Sequence, residues 1–262
     1  GYICWLSADD VWIDGEKVSR QLDAMKRRQA MWSYYKDSLV GPSEADARMM
    51  KPFMPGMGWL YGYIVKRPDL MFMLLLFRNP VNGSSIMISR DCVNNYGQFD
   101  PELRNIDADS DLWMRYSVLG VSPAVVKGAP VFYREHGEQT SKKIEAMVHG
   151  GELARMRILK ALEKRRMLSA FVRKFSILFP LVLRPDMYKY RPIVIRYLFA
   201  DVIKNSPILR YPFARLYSLW VLRKVRKGGE PVHVNARKFF EDLDHYMKTE
   251  TFKSFETMLG AR

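Results

Sequence analysis

The chain opens with an unbroken apolar run, Tyr2-Ile3-Cys4-Trp5-Leu6, that ends abruptly in Ser7-Ala8-Asp9-Asp10. Such a run predicts a short buried strand whose following turn carries the acids. From Gly15 to about Tyr34, the positions Val18, Leu22, Met25, Ala30 and Met31 recur at helical spacing among Lys and Arg, predicting an amphipathic helix with Asp14 as N-cap. Residues 33–38 read as a further strand. Gly41-Pro42-Ser43 and the Met- and Gly-rich residues 49–62 read as a loop long enough to be functional.

Asp69 to Phe77 predicts a short, largely buried helix, and Val81-Asn82-Gly83-Ser84-Ser85-Ile86-Met87-Ile88 a strand whose small centre lets a ligand approach the backbone. Arg90 to Tyr96 reads as helical. A second acid cluster, Asp107-Ala108-Asp109-Ser110-Asp111, runs into the helical pattern Leu112 to Leu119, which Gly120 stops. Ala124-Val125-Val126 and Pro130 to Tyr133 predict two strands. The alternation of strands and helices is that of an α/β layered domain. Beyond about residue 144 the pattern turns to helices divided by Pro and Gly: Glu152 to Leu168, a mixed aromatic and basic stretch to about 204, a helix starting at Ser206-Pro207, a break at Gly228-Gly229 and a final helix over 234–258.

Composition sharpens this outline. The 262 residues are 48% hydrophobic, enough for a sizeable core in one or two domains. Two cysteines, Cys4 and Cys92, make no disulfide framework and suit a reducing compartment. No run of eighteen uncharged apolar residues occurs, so no membrane span is expected. The net charge of +14 is uneven: residues 1–150 hold 18 basic against 18 acidic residues, whereas residues 151–227 hold 19 against 4. That segment should attract an anionic surface or ligand.

The chemistry-bearing residues are acids. A carboxylate pair in the turn after a strand can hold Mg or Mn and leave positions open for phosphate, although Asp9-Asp10 alone also fits a solvated turn. Asp109 and Asp111 stand at the entrance to a helix that Leu112, Trp113 and Met114 pull into the core. One acid there is expected to cap the helix and one to act as a general base with a raised pKa. His136, just past a predicted strand, is either a third metal ligand or an exposed loop residue. Arg115 and Arg134 could each touch phosphate or sit in an ordinary salt bridge.

In chain order, Leu6-Ser7-Ala8-Asp9-Asp10-Val11-Trp12, Glu16-Lys17-Val18-Ser19-Arg20-Gln21, Asn79-Pro80-Val81-Asn82-Gly83-Ser84-Ser85, Tyr96-Gly97-Gln98-Phe99-Asp100-Pro101, Asp109-Ser110-Asp111-Leu112-Trp113-Met114-Arg115 and Tyr133-Arg134-Glu135-His136 resemble glycosyltransferase family 2 over about residues 1–141. The resemblance implies an α/β, Rossmann-like partial GT-A domain with a mixed sheet over 1–143, followed by a basic α-helical region over 144–262. It also implies a nucleotide-sugar donor, a divalent cation (Mn or Mg) and inverting hexosyl transfer to a glycan or lipid-linked acceptor. By position, Asp10 and Asp9 match the family's metal and donor motif with His136 as a further ligand, and Asp109 matches the base that deprotonates the acceptor. Asn82, Gly83, Ser84, Ser85, Asp111, Trp113 and Arg115 match its substrate-binding positions. Ser7 stands where the family commonly has an acid. The family's metal turn follows a nucleotide-binding half, so the chain resembles the C-terminal two-thirds of such an enzyme.

The basic segment, interleaved with aromatics such as Tyr188, Tyr190 and Tyr197, leads us to expect a cytoplasmic protein peripherally attached to an anionic membrane surface. Nucleic acid is not an expected partner, since no binding motif accompanies the charge. Two readings from other classes stay open: a non-catalytic transferase-like module that holds a glycan, lipid or protein, and a metal-dependent phosphoryl-transfer enzyme, which the lack of a Gly-rich phosphate loop disfavours.

Overall fold

The computed structural model describes residues 1–50, 58–103, 107–139, 142–168, 170–171, 187–198, 216, 220, 223, 227 and 231–261. The helix expected from Ser206-Pro207, the break at Gly228-Gly229, residues 51–57 of the expected loop and most of the aromatic, basic stretch lie outside them. The chain is mixed α/β and divides into two compact units, Gly1–Phe99 with Leu112–Lys142, and Asp100–Asp111 with Lys143–Arg262.

The first unit holds two mixed four-stranded sheets. In one, β1 (Tyr2–Cys4) pairs antiparallel with β6 (Met87–Ser89), β6 pairs antiparallel with β3 (Trp32–Tyr35), and β3 runs parallel to β7 (Ala124–Val126). In the other, β2 (Val11–Trp12) is antiparallel to β8 (Val131–Arg134), β8 is parallel to β4 (Ser38–Gly41), and β4 is antiparallel to β5 (Arg48–Met50). The opening apolar run is therefore an edge strand, not a buried one: Tyr2, Ile3, Trp5 and Leu6 are all exposed. The expected strand over 81–88 is instead a 3₁₀ turn, Gly83–Ser85, followed by β6. Asn82 forces the turn, because its side-chain oxygen accepts the Ser84 N–H and competes with a strand ladder.

Four helices of this unit are α1 (Lys17–Arg28), α2 (Gly58–Ile64), α3 (Pro68–Phe77) and α4 (Arg90–Tyr96). The apolar face of α1 packs Ala24 and Met25 against Tyr35, Met87, Ala124 and Val126. Asp14 does not cap it but accepts the Glu16 N–H and pairs with Arg20. Helix α5 (Ala108–Val118) begins earlier than expected, inside the acid cluster, and ends as expected at Gly120, whose φ of 80° suits glycine. Its Trp113 stacks on Trp32 with ring centroids 4.7 Å apart and planes within 7°, and Tyr34 and Tyr116 flank the pair.

In the second unit, α6 (Ile144–Lys164) carries three buried charges close together, Glu152, Arg155 and Arg157. Arg157 joins Asp111 (Nε to Oδ1, 2.8 Å) and Asp100 (Nη1 to Oδ2, 2.7 Å), and Thr249 donates to the same Asp100 oxygen while capping a helix. Burial alone would raise the Asp100 carboxyl, but Arg157 and Thr249 hold it below the ordinary carboxylate value. Arg155 binds Asp107 and the Gly151 carbonyl. Glu152 accepts the backbone N–H groups of Ile193 and Val194, next to α7 (Met187–Tyr190) and at the start of α8 (Pro192–Tyr197). The expected final helix is two, α9 (Ala236–Tyr246) and α10 (Glu250–Gly260), because Thr249 starts a new one.

Replacing Trp113 by Ala should destabilise the protein by about 3–5 kcal/mol in a denaturant titration, through the cavity left beside Trp32. Burial pushes Glu152 up to about 7 against the pull of Arg191 and Arg155. The folded chain thus keeps a proton that an unfolded glutamate has already released, and stability should fall as pH rises from the ordinary carboxylate range to about 7. Glu152→Gln, which keeps the acceptor oxygen, should flatten that decline in melts recorded across the window.

Candidate acidic site at the strand ends

Strands β1 and β3 run parallel, both opposed to β6, so the turn after β1, the link after β3 and the turn before β6 share one edge of their sheet. Ligands of open α/β sheets bind beyond such carboxyl ends. The turn after β1 delivers Asp9 and Asp10, and the residue after β8 and Glu135 delivers His136.

Ser84 fixes that turn. Its hydroxyl donates to Asp10 Oδ2 at 2.5 Å and accepts the Ser7 N–H at 3.0 Å, and its carbonyl accepts the Trp12 indole N–H at 2.9 Å. One serine therefore holds the beginning, the acid and the end of the turn. Asn82 holds Ser84 in place and donates to Ser38 at 3.1 Å, and the Ser85 hydroxyl binds the Asn82 carbonyl. A side chain added at Gly83 would meet nothing within 4 Å.

The two acids differ. Asp10 is buried, and its Oδ1 has no hydrogen-bond partner. Burial pushes its carboxyl up and the Asp9 charge adds to that, while the Ser84 hydroxyl and the Arg134 backbone N–H pull it down. Asp9 is part-exposed and meets His136 Nε2 at 2.9 Å, a bond that holds its carboxyl below the ordinary value. Two adjacent carboxyls in one turn are thus shifted in opposite directions. Among the described residues no three His, Cys, Asp or Glu side chains converge as a complete cage for a metal. The donors that are present still suit Mg or Mn, which take one or two carboxylates and complete their shell with phosphate and water, and the orphaned Asp10 oxygen is the sort of ligand they use.

Three expected substrate contacts need correction. Asp111 is fully buried on Arg157, Trp113 is fully buried on Trp32, and Arg115 is fully buried with its guanidinium donating to the Gln98 carbonyl at 2.8 Å. None presents side-chain surface to a ligand, because the apolar pattern that pulls α5 into the core takes these residues with it. Ser84, expected to floor the sugar site, has both its hydroxyl proton and a lone pair committed to the turn. Asp109 lies on the first turn of α5, part-exposed, with Oδ1 accepting the Ser110 N–H at 2.7 Å.

The sequence reading missed two features. Lys17 is a buried cation, with Nζ 2.9 Å from Gln21 Oε1 and 4.3 Å from the centre of the Trp12 ring, and burial pulls its pKa down. Gln21 also donates to Ser33 and to the Ser85 carbonyl, so α1 is tied to the turn that holds Asp10. The available signal was two polar residues four apart on the apolar face of α1. Asp37, between β3 and β4, has a buried Oδ1 without a hydrogen bond, and no local pattern marks it. Comparison with family models, curated proteins and solved structures finds no match for the chain.

Ser84→Ala should strand the Asp10 oxygen and the Ser7 N–H and cost about 1–3 kcal/mol in a denaturant titration, whereas Ser84→Thr, which keeps the hydroxyl, should cost less.

Proposed function

We propose that the chain is a glycosyltransferase of the family 2, GT-A type, moving a hexose from a nucleotide sugar to an acceptor hydroxyl with inversion. The single observation that carries the reading is the acidic turn: two adjacent carboxylates at the carboxyl end of β1, Asp10 clasped by Ser84 with its second oxygen buried, and Asp9 paired with His136. The order of motifs along residues 1–141 adds to it.

Asp10 and Asp9 would hold the divalent cation, which when bound offsets the charge growing on the departing nucleoside diphosphate. Ser84 keeps the Asp10 carboxylate aimed, and Gln21 and Asn82 keep the Ser84 turn rigid, so little reorganisation is needed at the moment of reaction. His136 steadies Asp9 in its ionised form. Asp109, carried at the N-terminal turn of α5, accepts the proton of the attacking acceptor hydroxyl. Ser7 leaves the motif short of one acid, so Asp10 carries most of the cation binding.

The test is release of nucleoside diphosphate from UDP-, GDP- and dTDP-hexoses with Mn. Asp109→Asn should lower kcat by about 10²–10⁴-fold with little change in KM for the donor. Asp10→Asn, which can still accept from Ser84, should lose turnover and Mn dependence together. Unchanged activity in both variants would sink the assignment. Donor binding with no turnover under any condition would favour the non-catalytic module.

A further inference from the structure

Helix α2 is two-faced. Leu60, Tyr61, Ile64 and the following Val65 are buried, and the Tyr61 hydroxyl meets that of Tyr34 at 2.5 Å, so this face is fixed to the core. The other face presents Trp59, 74% exposed, and Tyr63, 46% exposed, four residues apart, and the turn that follows the helix adds exposed Lys66 and Arg67. Scattered surface aromatics are ordinary, but a projecting indole and a phenol leading into two cations are not.

The chemistry of this surface selects its partner. The Arg67 guanidinium lies 4.5 Å from the centre of the Tyr63 ring, so one face of the phenol is already covered and unavailable to stack on a sugar. Lys66 and Arg67 both lie exposed beside the two aromatics. Trp and Tyr settle at the boundary between lipid headgroups and acyl chains, with Lys and Arg beside them at the level of the phosphates.

We propose that Trp59 and Tyr63 of α2, with Lys66 and Arg67 in the turn after it, form a membrane-docking surface that inserts its aromatics at the interface of an anionic phospholipid bilayer. It uses residues outside the 151–227 segment and does not depend on the glycosyltransferase reading. Vesicle flotation of the full 262-residue chain tests it, comparing phosphatidylcholine alone with equal parts phosphatidylcholine and phosphatidylglycerol. The wild-type chain should float only with the anionic vesicles. Trp59→Ala/Tyr63→Ala and Lys66→Glu/Arg67→Glu should each weaken binding by roughly tenfold or more. Thermal melts should stay close to wild type, since all four side chains are exposed. A wild-type chain that stays at the bottom of the gradient overturns the proposal, as does either double variant floating like the wild type, which would place binding on another basic surface.

Discussion

The Ser84 hydroxyl is the interaction on which the acidic site depends. It donates to a carboxylate and accepts a backbone N–H, while its own carbonyl takes an indole N–H. A short turn after an exposed edge strand would otherwise be loose, since β1 contributes three residues and has a partner on one side only. With the clasp, the turn takes its rigidity from the 3₁₀ turn before β6, and through Gln21 from α1 and β3. The sheet edge is thus made firm from below by groups that are themselves buried and satisfied, as preorganised sites require.

Buried carboxylates meet their surroundings in two ways. In the second unit the carboxylates Asp100, Asp107 and Asp111 are each matched by an arginine of α6. Such networks cost desolvation and are poor stability devices in themselves; what they supply is a single permitted arrangement. In the first unit Asp10 is buried with one oxygen unmatched, which stabilises nothing in the free chain. A folded chain that satisfies its other site hydroxyls and amides but leaves this oxygen bare carries a cost that a cation or a donor hydroxyl would remove.

Much of the fold was legible. Helix α3 and helix α4 lie where periodicity put them, and the β7 and β8 strands fall within a residue of expectation. Local pattern failed where tertiary partners decide. An apolar run says that a segment is sticky, not whether strands flank it on both sides, so β1 was expected to be buried and is an edge. The Asn82–Ser85 stretch was read as a strand because its polar side chains could not be foreseen satisfying one another. Asp9 and Asp10 stood out as acids after a strand and His136 as a histidine just past another, but the bond between Asp9 and His136 needed the fold. The burial of Asp111, Trp113 and Arg115 was hidden, since a motif read as a row of contacts does not say which residues face the core. Lys17 and Asp37 needed the packed structure to be seen at all.

The proposed cation site at the Asp9–Asp10 turn stands or falls on where a divalent ion sits. Mn-induced broadening of backbone amide NMR signals tests it most directly, because it reports where the ion sits whether or not a donor is present. Broadening centred on residues 7–12, 82–85 and 136, abolished in Asp10→Asn, is the predicted result. Broadening centred elsewhere, or none at Mn concentrations well above those of ordinary sites, would contradict it.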